Sequence, residues 1–219
     1  MSAPAATAGR VHGSVGASDL ALRVPGSGTG GPASKRIVVG YGFWLFILSD
    51  IVMFSAFFAT YVVLQSRTDN GPAARELFDL SNTAWETALL LLSSFTCGLA
   101  SMAVERRNQM WTQITLLITG LLGAAFIALE IREFSGLVAQ GATAQRSAFL
   151  SSFFTLVGCH GLHVTLGLLW LGTTMAQFLA KGFPARICHR YYCFSLFWHA
   201  LDIIWVGIFT IVYLGGRIS

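Results

Sequence analysis

Residues 155–170 read Thr-Leu-Val-Gly-Cys-His-Gly-Leu-His-Val-Thr-Leu-Gly-Leu-Leu-Trp (TLVGCHGLHVTLGLLW), which sets His160 and His163 inside a run that is otherwise apolar or small. The run belongs to a longer segment, Ala148 to Phe178, that contains no Asp, Glu, Lys or Arg. About 20 residues at ~1.5 Å rise cover the roughly 30 Å hydrocarbon core of a bilayer, so the segment is long enough to cross it as a helix. Four more segments qualify on the same count: Val39 to Leu64, Ala84 to Val104, Trp111 to Leu129 and Cys193 to Leu214. The expected fold is therefore an all-α membrane protein, a bundle of five transmembrane helices over residues 37–219.

Composition agrees. Of 219 residues, 54% are hydrophobic and 11% charged, against roughly 25% charged in an ordinary soluble domain. Residues 1–36 differ, with seven glycines, three prolines and no long apolar run. They read as a disordered cytoplasmic tail without the hydrophobic stretch of about 7 to 15 residues that a secretory signal needs, so the first span is expected to act as the insertion signal.

Five spans put the termini on opposite sides, and basic residues set the orientation because cytoplasmic segments retain excess Lys and Arg. Arg10, Arg23, Lys35, Arg36, Arg106, Arg107, Lys181, Arg186 and Arg190 fall on one side; Arg67, Arg75, Arg132, Arg146 and Arg217 fall on the other. The N terminus is expected in the cytoplasm and the C terminus outside. This also accounts for a pI near 9.1 without nucleic acid, since the tail has no aromatic residues to stack bases. Cys97 and Cys159 lie inside spans, Cys188 and Cys193 are read as flanking a cytoplasmic connection, and none has metal-type spacing.

An ionisable group inside a span costs about 2.5 to 3.5 kcal/mol on insertion scales, so each needs an account. Asp50 lies about 16 Å into the first span by helical rise. Glu86 and Glu130 are placed near the outer ends of the second and third spans, and His199 and Asp202 in the cytoplasmic half of the fifth. Spacing of i and i+3 puts His160 with His163, and His199 with Asp202, on shared faces. Trp198, Asp202 and Trp205 follow i, i+4, i+7 and form one stripe that should face protein, because lipid would not solvate Asp202. Gly158, Gly161 and Gly167 permit close helix approach. Trp44, Trp85, Trp111 and Tyr213 suit an interfacial aromatic belt.

Three readings remain on chemistry alone. Histidines on membrane helices can ligate haem or metal, although an i, i+3 pair cannot clamp one haem from both faces. Asp50, Glu86, Glu130 and Asp202 can form a proton or substrate path, against which stands the lack of proline between Pro72 and Pro184 and of inverted repeats. The bland reading is a set of hydrogen-bonded ties between helices.

Several segments together decide among these. Gly42–Asp50 reads GFWLFILSD and runs on to FSAFFATYVVL at 54–64; AFIALEIREF occupies 125–134. Gly158-Cys159-His160-Gly161-Leu162-His163-Val164 is followed by Phe197-Trp198-His199-Ala200-Leu201-Asp202-Ile203-Ile204-Trp205. In this order and on these spans, the motifs resemble subunit III of haem-copper respiratory oxidases, and within it the five-span subunit of cytochrome o (bo-type) ubiquinol oxidases. The resemblance runs from Ile37 to the end.

The resemblance implies an accessory, non-redox subunit of a proton-translocating ubiquinol oxidase in the bacterial inner membrane. Haem and copper are then expected in subunit I and none in this chain, with subunits I and II and a small subunit IV as partners. It also implies phospholipid in a helix cleft, with the acid matching Asp50, commonly Glu in the family, beside it. A cytochrome c oxidase subunit III is the alternative within the family, and a small polytopic transporter the alternative outside it. The histidine pair is expected to bond across helices, to Asp202 or Glu130. The residues singled out are Asp50, Glu86, Glu130, His160, His163, Trp198, His199, Asp202 and Trp205.

Overall fold

A computed structural model describes residues 35–67 and 80–218 of the chain. Five long helices account for nearly all of them: α1 (Lys35–Leu64), α2 (Leu80–Glu105), α3 (Gln109–Ala139), α4 (Ala148–Lys181) and α5 (Ala185–Ile208). A π-helical turn, Phe209–Leu214, continues α5, and a last short helix, α6 (Gly215–Ile218), follows it. All five long helices are apolar and long enough to cross a membrane.

Local signals set the turns between them. The side chain of Asn108 caps α3 by accepting from Trp111 N at 3.3 Å, and Ser147 caps α4 by accepting from Leu150 N at 3.2 Å, each satisfying an amide that a first helical turn leaves free. The end of α4 falls at Gly182, whose φ of 66° lies in the left-handed region that glycine enters without steric cost. Pro184 then opens α5. Connections this short make α2 with α3, and α4 with α5, antiparallel hairpins.

The helices α2 to α5 close a ring in which α2 meets α3 and α5, and α4 meets α3 and α5, while α1 packs on the outside against α4 and α5. Large aromatic side chains fill the interior, among them Phe126, Phe153, Phe194, Trp198 and Trp205. At one end α1 is tied in by the Tyr61 hydroxyl, which donates to Val212 O at 3.4 Å, and by Phe149 N, which donates to Arg67 O at 3.3 Å. Outward-facing Leu, Ile and Val on every helix remain exposed, as lipid contact requires.

Several expectations need correction. The third helix runs to Ala139 rather than Leu129, so the connection before α4 is much shorter than residues 130–147. The fifth helix starts at Ala185 rather than Cys193, which puts Cys188 and Cys193 inside it; all four cysteines are free thiols. Tyr213 belongs to no interfacial belt: it is buried in the π-helical turn and its hydroxyl donates to Glu133 Oε1 at 3.2 Å. Trp44, Trp85 and Trp111 are exposed as a belt would have them. The expectation of a tail over residues 1–36 lies almost wholly outside the described residues.

Candidate functional site: polar side chains inside the bundle

Intramembrane polar groups gather at four places. Between α1 and α4, Asp50 Oδ2 lies 3.9 Å from His163 Nε2, and both side chains are 15% exposed. His163 Nδ1 donates to Cys159 O, one turn back in its own helix, at 2.7 Å. A neutral imidazole with its proton on Nδ1 offers only an acceptor at Nε2. At 3.9 Å the contact with Asp50 is a close polar approach rather than a hydrogen bond. The ring of Phe54 packs on His163 edge-on at 5.3 Å.

His160 points elsewhere. It is fully buried among aromatics, 5.2 Å from the ring of Trp205 and 5.9 Å from that of Phe126, and neither ring nitrogen has a hydrogen-bond partner among the described residues. The expected bonds from the histidine pair to Asp202 or Glu130 are thus not the ones formed. Positions i and i+3 differ by about 60° around a helix axis, enough here to send one ring into the bundle and the other toward α1.

A second level holds the acids of α2 and α3. Glu86 is fully buried with neither carboxyl oxygen bonded among the described residues, and Glu130 has Oε2 in the same condition. Glu133, which hydropathy alone hides beyond the presumed end of the third span, lies within electrostatic reach of both. The signal that would have found it is its i, i+3 spacing from Glu130 in a segment with no helix breaker. The Glu130 carboxylate is laid against the backbone of α4 at Gly161, where a Cβ would stand 2.5 Å from Oε1.

The two tryptophans of α5 form the third group. The Trp198 ring enters between glycines of two other helices: a Cβ on Gly123 would come 2.9 Å from Cη2, and one on Gly167 3.0 Å from Cζ3. Its indole N–H donates to Ser93 Oγ at 3.1 Å, and that of Trp205 donates to Thr87 Oγ1 at 3.1 Å. Both tryptophans are buried in the bundle, whereas Asp202, 5% exposed, sits at its outer margin. His199 and Asp202, as their spacing implied, line one shallow depression on the outside of α2 and α5, where His199 Nδ1 is 2.6 Å from Ser94 Oγ.

The fourth feature is a groove of about 610 Å³ between α1 and the α4–α5 hairpin, with Val39, Phe43 and Trp170 in its wall and Arg186, His189 and Arg190 at its edge. Asp50 does not line it. Among the described residues, no three or more His, Cys, Asp or Glu side chains converge so as to hold a metal ion. Several of the polar groups serve contacts between helices, among them Trp198, Trp205 and the His199–Ser94 pair.

These features define a polytopic α-helical membrane protein whose buried polar side chains knit neighbouring spans. The family described as cytochrome c oxidase subunit III matches residues 27–217, and the chain belongs to that family. It is 50% identical over 178 residues to the cytochrome bo(3) ubiquinol oxidase subunit 3 of Pseudomonas aeruginosa, covering 81% of this chain and 85% of that protein. Over 175 residues it is 44% identical to the quinol oxidase subunit 3 of Bacillus subtilis, covering 80% and 86%. Over 182 residues it is 44% identical to the cytochrome c oxidase subunit 3 of Bacillus sp. (strain PS3), covering 81% and 86%.

Proposed function

We propose that this chain is the accessory third subunit of a ubiquinol-oxidising, proton-translocating terminal oxidase in a bacterial inner membrane. The observation that carries the proposal is the 50% identity to a ubiquinol oxidase subunit 3 across four fifths of the chain, higher than the identity to the cytochrome c oxidase relative. In this reading subunit I holds haem and copper and performs the reduction of oxygen to water. No residue of this chain touches quinol or oxygen. Its contribution is to brace the complex, to hold lipid and to support proton uptake into subunit I, in company with subunit II and a small subunit IV.

Two features support this division of labour. Trp198, Trp205, Tyr191 and Tyr213 each donate a hydrogen bond to another helix, which is the chemistry of a brace. The groove at the α4–α5 turn joins apolar walls to a cationic edge at Arg186, His189 and Arg190, which suits the acyl chains and phosphate of a phospholipid. The N terminus, with the α2–α3 and α4–α5 turns, is placed in the cytoplasm, so that this groove opens to the inner leaflet.

The test compares the oxidase purified with and without this chain. The reduced-minus-oxidised haem spectrum should survive removal of the chain, while sustained quinol turnover and thermal stability of the remainder fall. Loss of all haem would refute the accessory role, and turnover with cytochrome c in place of quinol would refute the donor.

A further inference from the structure

The outer face of α2 and α5 carries a feature that bundle packing leaves unexplained. A depression of about 340 Å³ is lined by Leu91 and Ser94 of α2 and by His199, Asp202, Ile203 and Val206 of α5. Leu91, Ile203 and Val206 are exposed hydrophobics on the membrane-facing surface. Asp202 is 5% exposed, lines the depression, and has neither carboxyl oxygen hydrogen-bonded among the described residues. The Ser94 hydroxyl interacts with the Asp202 carboxyl but is shared with His199, whose Nδ1 is 2.6 Å from Ser94 Oγ.

Depth sharpens the problem. Asp202 is 17 residues from Ala185 and 12 from Leu214, the ends of the fifth apolar segment, or about 25 and 18 Å by helical rise, close to mid-membrane. Ser94 is 14 and 11 residues from the ends of α2, at the same level. Acyl chains offer no donor there, and a lipid headgroup does not reach it. A carboxyl so placed, with one shared hydroxyl beside it, is stabilised further by a group that brings its own hydrogen-bond donor.

We infer that the α2–α5 face is a docking surface for a transmembrane helix of another subunit, which seats in this depression and donates a hydrogen bond to Asp202. The inference rests on the subunit reading above and extends it by naming the face. Complementarity is specific: the partner helix presents a donor such as Asn, Gln, Ser, Lys or Arg at mid-membrane, flanked by apolar residues that cover Leu91, Ile203 and Val206. His199, held by Ser94, borders the same contact. A second copy of this chain would bring carboxyl toward carboxyl across a two-fold axis, which the depression does not favour.

The experiment places a photoreactive benzoylphenylalanine in place of Ile203, whose side chain is 73% exposed and therefore tolerates replacement without disturbing the chain's own packing. The same group in place of Val63 on α1, equally exposed, serves as the comparison. The intact oxidase is purified through a tag on this chain and irradiated, and the products are identified by mass spectrometry. A cross-link from position 203 to a membrane helix of a copurifying, different chain is the expected result. Cross-links to lipid alone, or to a second copy of this chain, overturn the inference while haem-bearing chains still copurify. If no other chain copurifies at all, both the subunit reading and the inference fail. In parallel, Asp202→Leu should lower the partner-to-subunit ratio after detergent washing by roughly three- to tenfold, the effect of one interhelical hydrogen bond in a membrane. Asp202→Asn, which keeps an acceptor, should restore most of it.

Discussion

A methyl group on Gly161 would sit 2.5 Å from Oε1 and 2.6 Å from Oε2 of Glu130, far inside van der Waals contact. Unlike a flexible terminus in solvent, that carboxyl group is buried. Gly161→Ala is therefore expected to destabilise the chain by about 1–3 kcal/mol, the usual cost of overpacking a close contact. The sign reverses when the acid is removed: in a Glu130→Ala background the clash is gone, and alanine is the better helix former by about 1 kcal/mol. Thermal unfolding of the four variants in one detergent measures the coupling, and an equal cost of Gly161→Ala in both backgrounds would show that Glu130 is not what the glycine accommodates. The motif that singled out this region thus combines two tasks. Its histidines reach different neighbours, Asp50 and the aromatic core, while the glycine between them admits an acid from α3.

At the scale of elements, α5 is the helix that locks the ring, because its tryptophans reach both α2 and the α3–α4 pair. Trp198→Ala removes a ring that fills the space over Gly123 and Gly167 and leaves the Ser93 hydroxyl without its donor. A loss of about 3–5 kcal/mol follows from the cavity, read as a fall in the detergent melting temperature. Trp198→Phe should lose less, and a loss as small as that of an exposed Trp85→Ala would contradict the role given to the ring. The stripe of Trp198, Asp202 and Trp205 was legible in the sequence because helical spacing alone fixes a shared face. The helix ends were not. Hydropathy falls at Arg132 and Glu133 and again across Arg186–Arg190, yet backbone hydrogen bonding continues past both, since a helix ends where a cap or a left-handed residue stops it. Likewise no residue type announces a π-turn, so the burial of Tyr213 and its bond to Glu133 were out of reach until α3 and α5 were seen side by side.

For the whole molecule, the five spans and the family were readable from runs and motifs, whereas the packing of α1 outside a closed ring was not, because apolar periodicity does not say which helix a lipid-rich face meets. Charge at the assembled ends supports the proposed sidedness. One end of the bundle brings together Arg106 and Arg107 of the α2–α3 turn with Lys181, Arg186 and Arg190 of the α4–α5 turn; the other carries Arg67, Arg132 and Arg146. Excess basic charge is retained in the cytoplasm during insertion. The orientation this implies has a direct readout in alkaline phosphatase, which is active only outside the inner membrane. Fusion after Ser219 should give an active enzyme, while fusion after Arg107 or after Gly182 should leave it inactive. The reverse pattern would turn the bundle over, moving the cationic groove at Arg186 and Arg190 to the outer leaflet and removing the argument that it holds lipid beside the face from which protons are taken up.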